Sequence, residues 1–195
     1  MSEKKFNRLM SDGKIALEAG KHQHAAELFD MATGIDPGSK EAWASRGNAL
    51  CALAKYEDAL ASVARALSID SMYPDALFVK GSTLLGLQMY EDALQTAEEV
   101  IAIAPNNHLG FYIKGVALYA TDEPKEALKH LDKAVELDPE MKHAFNIRGL
   151  TNLRLGRLED ALEDFELALK ADPDFIDAKK NRVATIAQIS KCGSR

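Results

Sequence analysis

Apolar and small residues return along this chain at a fixed step of thirty-four positions. Gly13, Gly47, Gly81, Gly115 and Gly149 keep that step, and so do Ala25, Ala59, Ala93, Ala127 and Ala161. The stretch 40–73 shows what the pattern encodes. Trp43, Gly47 and Leu50 share one face at helical spacing; Ala54-Lys55 breaks the run; Tyr56, Ala59, Leu60, Val63, Ala66 and Leu67 resume it. Each half reads as an amphipathic helix of about thirteen residues, too short to persist alone in water. Stability must come from packing helix on helix and repeat on repeat. The repeats are 6–39, 40–73, 74–107, 108–141 and 142–175, and a tail, 176–195, follows.

The small positions show where backbones approach. A glycine inside a helix costs about 1 kcal/mol relative to alanine, so five at one register position require close contact between paired helices. The twentieth position is always Ala, and the twenty-seventh is Ala32, Ala66, Val100, Ala134 or Ala168. Larger residues fill the layers: Leu9, Trp43, Leu77, Phe111 and Phe145 at the fourth position, Phe29, Val63, Ala97, Leu131 and Phe165 at the twenty-fourth. Asp36-Pro37, Asp138-Pro139 and Asp172-Pro173 end second helices, and Ala104-Pro105 does the same, because proline cannot continue a helix and restricts the residue before it. Pro74 and Pro124 fit the first turn of a helix, where a missing N–H is harmless.

With these residues in place, Trp43…Gly47…Ala59…Ala66 and Phe145…Gly149…Ala161…Phe165…Ala168…Pro173 resemble the tetratricopeptide repeat over about nine-tenths of the chain. The resemblance implies an all-α solenoid: a right-handed superhelix of five antiparallel helix pairs, first helices lining the concave face. It implies one domain over 1–195 with a capping helix at 176–192. In the cap, Ile176, Val183, Ile186 and Ile189 are expected to cover the last repeat, while Lys179, Lys180, Arg182, Gln188 and Lys191 face water; Gly193 is the expected stop.

The formal charge of −6 argues against a nucleic-acid backbone as partner, since such sites need a basic stripe. Lys and Arg do recur at the seventh position, as Arg46, Lys80, Lys114 and Arg148. They form either a cationic ladder or a row of snorkelling side chains whose heads meet carboxylates such as Glu57-Asp58 and Glu91-Asp92. No apolar signal core follows Met1-Ser2-Glu3-Lys4-Lys5, and no segment approaches the roughly 20 apolar residues that span a bilayer. Two cysteines, Cys51 and Cys192, make no disulfide framework. The expected setting is cytoplasmic.

No Walker-type loop, H-E-x-x-H, G-x-S-x-G or C-x-x-C occurs, so the sequence implies no enzyme, cofactor or metal. His22 and His24 form an H-x-H without further ligands, and His22 takes the place of Tyr56 and Tyr90, which points to packing or surface. His108, His130 and His143 are scattered.

The resemblance places the inward face at positions two, five, six, nine, twelve and thirteen of first helices. Repeats 1 and 2 offer Asn7, Met10, Ser11, Lys14, Glu41, Ala44, Ser45 and Asn48, mostly polar or small. Repeats 3 to 5 offer an apolar run: Phe78, Val79, Leu109, Tyr112, Ile113, Val116, Tyr119, Ile147 and Leu150, with Ser82, His143 and Asn146 interspersed. The expected function is a non-enzymatic scaffold that holds a partner's peptide or helix on this run, with Tyr112 as anchor. Against it, Leu85 and Tyr119 can plug the groove, and sixth-position side chains can rest on the adjacent first helix. The rival is a homo-oligomerising structural module using the same apolar surface. One family subset grips acidic chaperone tails with a carboxylate clamp; read from repeat 1, the clamp places hold Met10, Lys14, Ser45, Asp75 and Val79, and frames from repeats 2 and 3 begin with Ala44 and Phe78. That partner is disfavoured.

Overall fold

The computed structural model describes residues 2–192, all of whose regular elements are α-helices. First helices are α1 (Ser2–Glu18), α3 (Lys40–Ala52), α5 (Pro74–Gly86), α7 (His108–Ala120) and α9 (Lys142–Arg154). Second helices are α2 (His22–Ile35), α4 (Tyr56–Ile69), α6 (Tyr90–Ile103), α8 (Pro124–Leu137) and α10 (Leu158–Ala171), and α11 (Ile176–Cys192) follows. These match the repeats, except that α1 starts ahead of Phe6. The expected stop at Gly193 lies outside the described residues. The chain divides into two compact blocks, Met1–Ile103 and Ala104–Arg195. In the first, each of α1 to α6 packs on its neighbours in order; in the second, α7 to α11 do likewise.

Every hairpin turn is built the same way. Gly20, Ala54, Gln88, Asp122 and Gly156 all stand at the fifteenth position, and all have positive φ, between 56° and 75°. The next residue's N–H reaches back to the first helix: Lys21 to Ala16, Lys55 to Leu50, Met89 to Leu84, Glu123 to Leu118 and Arg157 to Asn152. This left-handed close satisfies carbonyls that a helix end leaves open. At the other end of four of the five repeats, Asp36, Asp70, Asp138 and Asp172 accept the N–H two residues on, at 2.9–3.0 Å. Pro74 and Pro124 open their helices as the sequence predicts.

The helix pairs meet at the small positions. Ala25, Ala59, Ala93, Ala127 and Ala161 are fully buried, as are Ala32, Ala66, Val100, Ala134 and Ala168. Contact requires the glycines of the first, fourth and fifth repeats: a Cβ on Gly13 or Gly149 would stand 2.6 Å from the Phe29 or Phe165 ring, and one on Gly115 would stand 2.6 Å from Leu131. Trp43 is half-buried, and its indole N–H donates to the Pro37 carbonyl at 2.9 Å.

Arg46, Lys80 and Arg148, at the seventh position, reach carboxylates other than the Glu-Asp pairs at helix starts. Arg46 reaches Asp30 at 2.9 Å and Ser62 at 2.6 Å. Arg148 reaches Asp132 at 3.1 Å and Asp164 at 2.5 Å, and Arg182 in α11 reaches Glu166 at 3.2 Å. Asp30, Asp132 and Glu166 share the twenty-fifth position, so each arginine reaches back sixteen residues to the preceding repeat. Repeat 2 has Ala64 there, and Lys80 turns instead to Glu99, 3.7 Å away in its own repeat. A second clasp joins the first position to the thirty-first: Lys40 to Asp70 at 2.6 Å and Lys142 to Asp172 at 2.5 Å. These bonds hold the Asp70 and Asp172 carboxyls below their ordinary pKa of 3.8.

The tail departs from expectation. Ala178 and Thr185 are the residues α11 buries against the last repeat. Ile176, Val183 and Ile186 point to water, exposed by 62 %, 64 % and 38 %; Ile189 is half-buried. The covering face is the small one, because α11 follows the register of a first helix, whose third and tenth positions meet the preceding repeat (Ala144 and Thr151 are their buried counterparts in α9).

Candidate functional site: the first-helix faces

In the first block, the faces of α1, α3 and α5 leave room. A concavity of about 520 Å³ is lined by Phe6, Asn7, Met10, Ser11 and Lys14 of α1 with Ser39 and Glu41. A second, about 410 Å³, shares Lys14 and adds Leu17, Glu18, His22, Asn48 and Ala52. A third, about 170 Å³, shares Asn48 and adds Ala44, Ser45, Tyr73, Asp75, Phe78 and Val79. The three lie side by side along α1, α3 and α5, each neighbouring two sharing one lining residue. The room exists because Ala44, Ser45 and Asn48 are short where larger side chains would fill it. Tyr73 donates its hydroxyl proton to Asp75 at 2.9 Å, and burial together with that bond raises its pKa. Lys40 sits 4.8 Å from the centre of the Tyr73 ring, which fixes this wall of the third concavity.

The residues expected to form the groove divide by position. In the first block, Val79 is buried in a cluster with Ala44, Val63, Ala66 and Ala76. A Cβ on Gly47 would lie 3.4 Å from Val79 Cγ1, so this sixth-position side chain rests on the preceding first helix. Phe78 and Ser82 are half-buried, and Phe78 lines the third concavity. In the second block, Ile113 is fully buried and Asn146 nearly so; Asn146 accepts from Asn181 of α11 at 2.9 Å. Leu109, Tyr112, Val116, Ile147 and Leu150 are half-buried. Burial pushes the Tyr112 hydroxyl up to about 12, so it stays protonated at any working pH. His143 is exposed, its ring edge-on to Phe175 with centroids 4.9 Å apart. Tyr119 lies under the Arg154 guanidinium, 3.7 Å from its ring centre.

In the sequence the first-block lining is polar or small, and the apolar run of repeats 3 to 5 stands out beside it. Small size was the signal, because empty volume follows from short side chains more than from apolar ones. Elsewhere the strongest polar cluster is structural: Asp164, 2 % exposed, is held by Arg148 and by Asn152 at 2.9 Å. Burial raises the Asp164 carboxyl despite both partners. Among the described residues, no cluster of three or more His, Cys, Asp or Glu could hold a metal, and no helix is long and apolar enough to cross a membrane.

The architecture has solved counterparts. TTC0263, a thermophilic TPR protein in Thermus thermophilus, is 18 % identical with a TM-score of 0.85, covering 93 % of this chain and 99 % of that one. MamA from Desulfovibrio magneticus RS-1, residues 41 to the end, is 24 % identical with a TM-score of 0.63, covering 88 % and 97 %. YrrB, described as a TPR protein with an unusual peptide-binding site, is 22 % identical with a TM-score of 0.56, covering 88 % and 89 %. At these identities the likeness is one of fold. No curated protein matches the chain in sequence. The family model for the tetratricopeptide repeat matches residues 44–108 and 113–174, about two thirds of the sequence: the chain belongs to the tetratricopeptide-repeat family.

Proposed function

We propose that this protein is a non-enzymatic scaffold that holds a peptide segment of a partner protein on its first-helix faces. The family supports the general role of protein-interaction scaffold. The finer reading rests on one observation, the row of neighbouring concavities along α1, α3 and α5. Their lining mixes Lys14, Glu41, Asn48 and Asp75 with Met10 and Phe78, which suits an extended segment of mixed polarity: the amides and charges fix orientation and the apolar walls take one or two side chains. The half-buried strip Tyr112, Val116, Ile147 and Leu150 is the companion surface in the second block. The chain's net charge of −6 argues against nucleic acid as the ligand. Free thiols at Cys51 and Cys192 agree with a reducing, cytoplasmic setting.

The test fills the concavities. Ser45→Trp with Asn48→Trp is expected to abolish capture of partners from native cell extract, with helicity by circular dichroism unchanged. Undiminished capture removes the first-block reading. Tyr112→Ala with Ile147→Asp tests the companion strip; Ile113 is unsuitable, since a charge at that buried place would unfold the helix pair. Self-association through the same faces is the rival, and light scattering separates it: a dimer dispersed by the Trp pair would replace the foreign ligand with a second copy.

A further inference from the structure

α11 stands in the register of a sixth first helix, and the face such a helix gives to its second helix is bare. The eighth and eleventh positions are buried in every complete repeat, as Gly13 and Ala16, Gly47 and Leu50, Gly81 and Leu84, Gly115 and Leu118, Gly149 and Asn152. In α11 these positions are Val183 and Ile186, exposed by 64 % and 38 %, and Ile176 extends the stripe at 62 %. Among the described residues no helix follows to cover them.

We propose that this face docks an acidic amphipathic helix from a partner protein, side-on, in the place a second helix takes elsewhere in the chain. The flanks select the charge. Lys179, Lys180, Arg182 and Lys191 against Asp177 alone give α11 a net charge of +3 within a chain of net charge −6. Lys180 and Lys191 are exposed and lack an ion pair among the described residues. Lys179 and Arg182 are partly occupied by Asp174 and Glu166. Carboxylates flanking an apolar stripe would complete this pattern from both sides.

A second copy packed back to back would set lysine rows against each other, which disfavours a symmetric dimer here. An anionic membrane suits the lysines less well than a helix does, because the stripe holds three aliphatic side chains and no aromatic ring, on an otherwise acidic protein. Val183 also sets the geometry. The glycines at this position admit a second helix at closest approach, and valine forces the guest outward, toward the wide end of the 8–10 Å range of helix spacings. The guest therefore needs long apolar side chains where the second helices of this chain use Ala.

The probe is a fluorescein-labelled synthetic helix with leucines along one stripe and glutamates on its flanks, titrated with the full chain and read by anisotropy. Saturable binding is expected, lost when the glutamates become lysines or the sequence is scrambled. Val183→Ser with Ile186→Ser should weaken it at least about tenfold, the scale set by burying two aliphatic side chains. Lys180→Glu with Lys191→Glu, both exposed, should weaken the acidic peptide and favour the basic one. Ser45→Trp with Asn48→Trp should change nothing, which separates this face from the peptide site above. The proposal falls if the acidic helix does not bind, binds no better than its basic twin, or is indifferent to the Val183–Ile186 pair. It falls equally if light scattering shows a dimer that this pair disperses, or if the pair governs sedimentation with 3:1 phosphatidylcholine–phosphatidylserine vesicles while the peptide stays free.

Discussion

Gly149→Ala and Gly34→Ala are chemically one substitution and should change stability in opposite directions. On Gly149 the new Cβ would stand 2.6 Å from Phe165 Cε1, 2.9 Å from Cζ and 3.0 Å from Cδ1. Carbon atoms rest at about 3.5–4.0 Å, so ring or helix must retreat by roughly 1 Å. Phe165 is fully buried and has no solvent to retreat into. Overpacking of this kind costs about 1–3 kcal/mol, and the better helix propensity of alanine returns about 1 kcal/mol. The net expectation is a loss of up to about 2 kcal/mol. Gly34 lies in the exposed last turn of α2 with nothing within 4 Å of its Cβ position. There only the propensity gain remains, and Gly34→Ala should stabilise by about 0.5 kcal/mol. Urea unfolding followed at 222 nm measures both, and hydrogen exchange in α9 and α10 localises the first. Phe165→Leu in the Gly149→Ala background should recover stability, giving a coupling of about 1 kcal/mol in the double-mutant cycle. Equal signs for the two alanines, or a cycle that adds, would refute close approach as the reason for the glycine.

Arg148→Ala strands the buried Asp164 carboxylate and should cost about 3 kcal/mol, the low end for breaking a buried pair because Arg148 keeps some solvent contact; urea titration checks it, and adding Asp164→Asn should restore much of the loss. The Asp70 and Asp172 carboxyls sit below 3.8 in the folded chain, so their clasps stabilise above that pH and lose the effect as pH falls through the folded values. Asp172→Asn should therefore lower Tm at pH 7, with its curve meeting the wild type's in strong acid. Ala54→Gly and Gln88→Gly relieve a left-handed non-glycine residue and should each raise stability by about 0.5–1 kcal/mol, read from the urea midpoint.

The register, the helix pairs and the buried small positions were legible because one constraint repeats at one step. A close contact at Gly47 must recur at Gly115 and Gly149 or the stacking fails. What repeats less faithfully was harder to read. The partners of Arg46 and Arg148 lie sixteen residues away in both directions, and nothing local distinguishes Asp30 from Glu57 as acceptor. The positive φ at Ala54 and Gln88 was hidden, because neither residue advertises a left-handed turn; only Gly20 and Gly156 at the same place do. In the tail, four aliphatic residues suggested a covering face, yet Ala178 and Thr185 do the covering. Small residues mark contact there, as they do at the twentieth position. The same closeness buries the expected groove residue Val79, whose side chain lies against Gly47.

The arginine that reaches back sixteen residues carries its own consequence for how such a chain lengthens. A thirty-four-residue segment that holds both an arginine at its seventh place and an acid at its twenty-fifth brings plug and socket together. Copying that segment in tandem would reproduce a matched seam at once, without a compensating change elsewhere. Repeat 2, whose Ala64 offers no socket, would lack that seam with any copy set after it. Growth by duplication is therefore easiest from the last repeat, where Arg148 and Glu166 are both present.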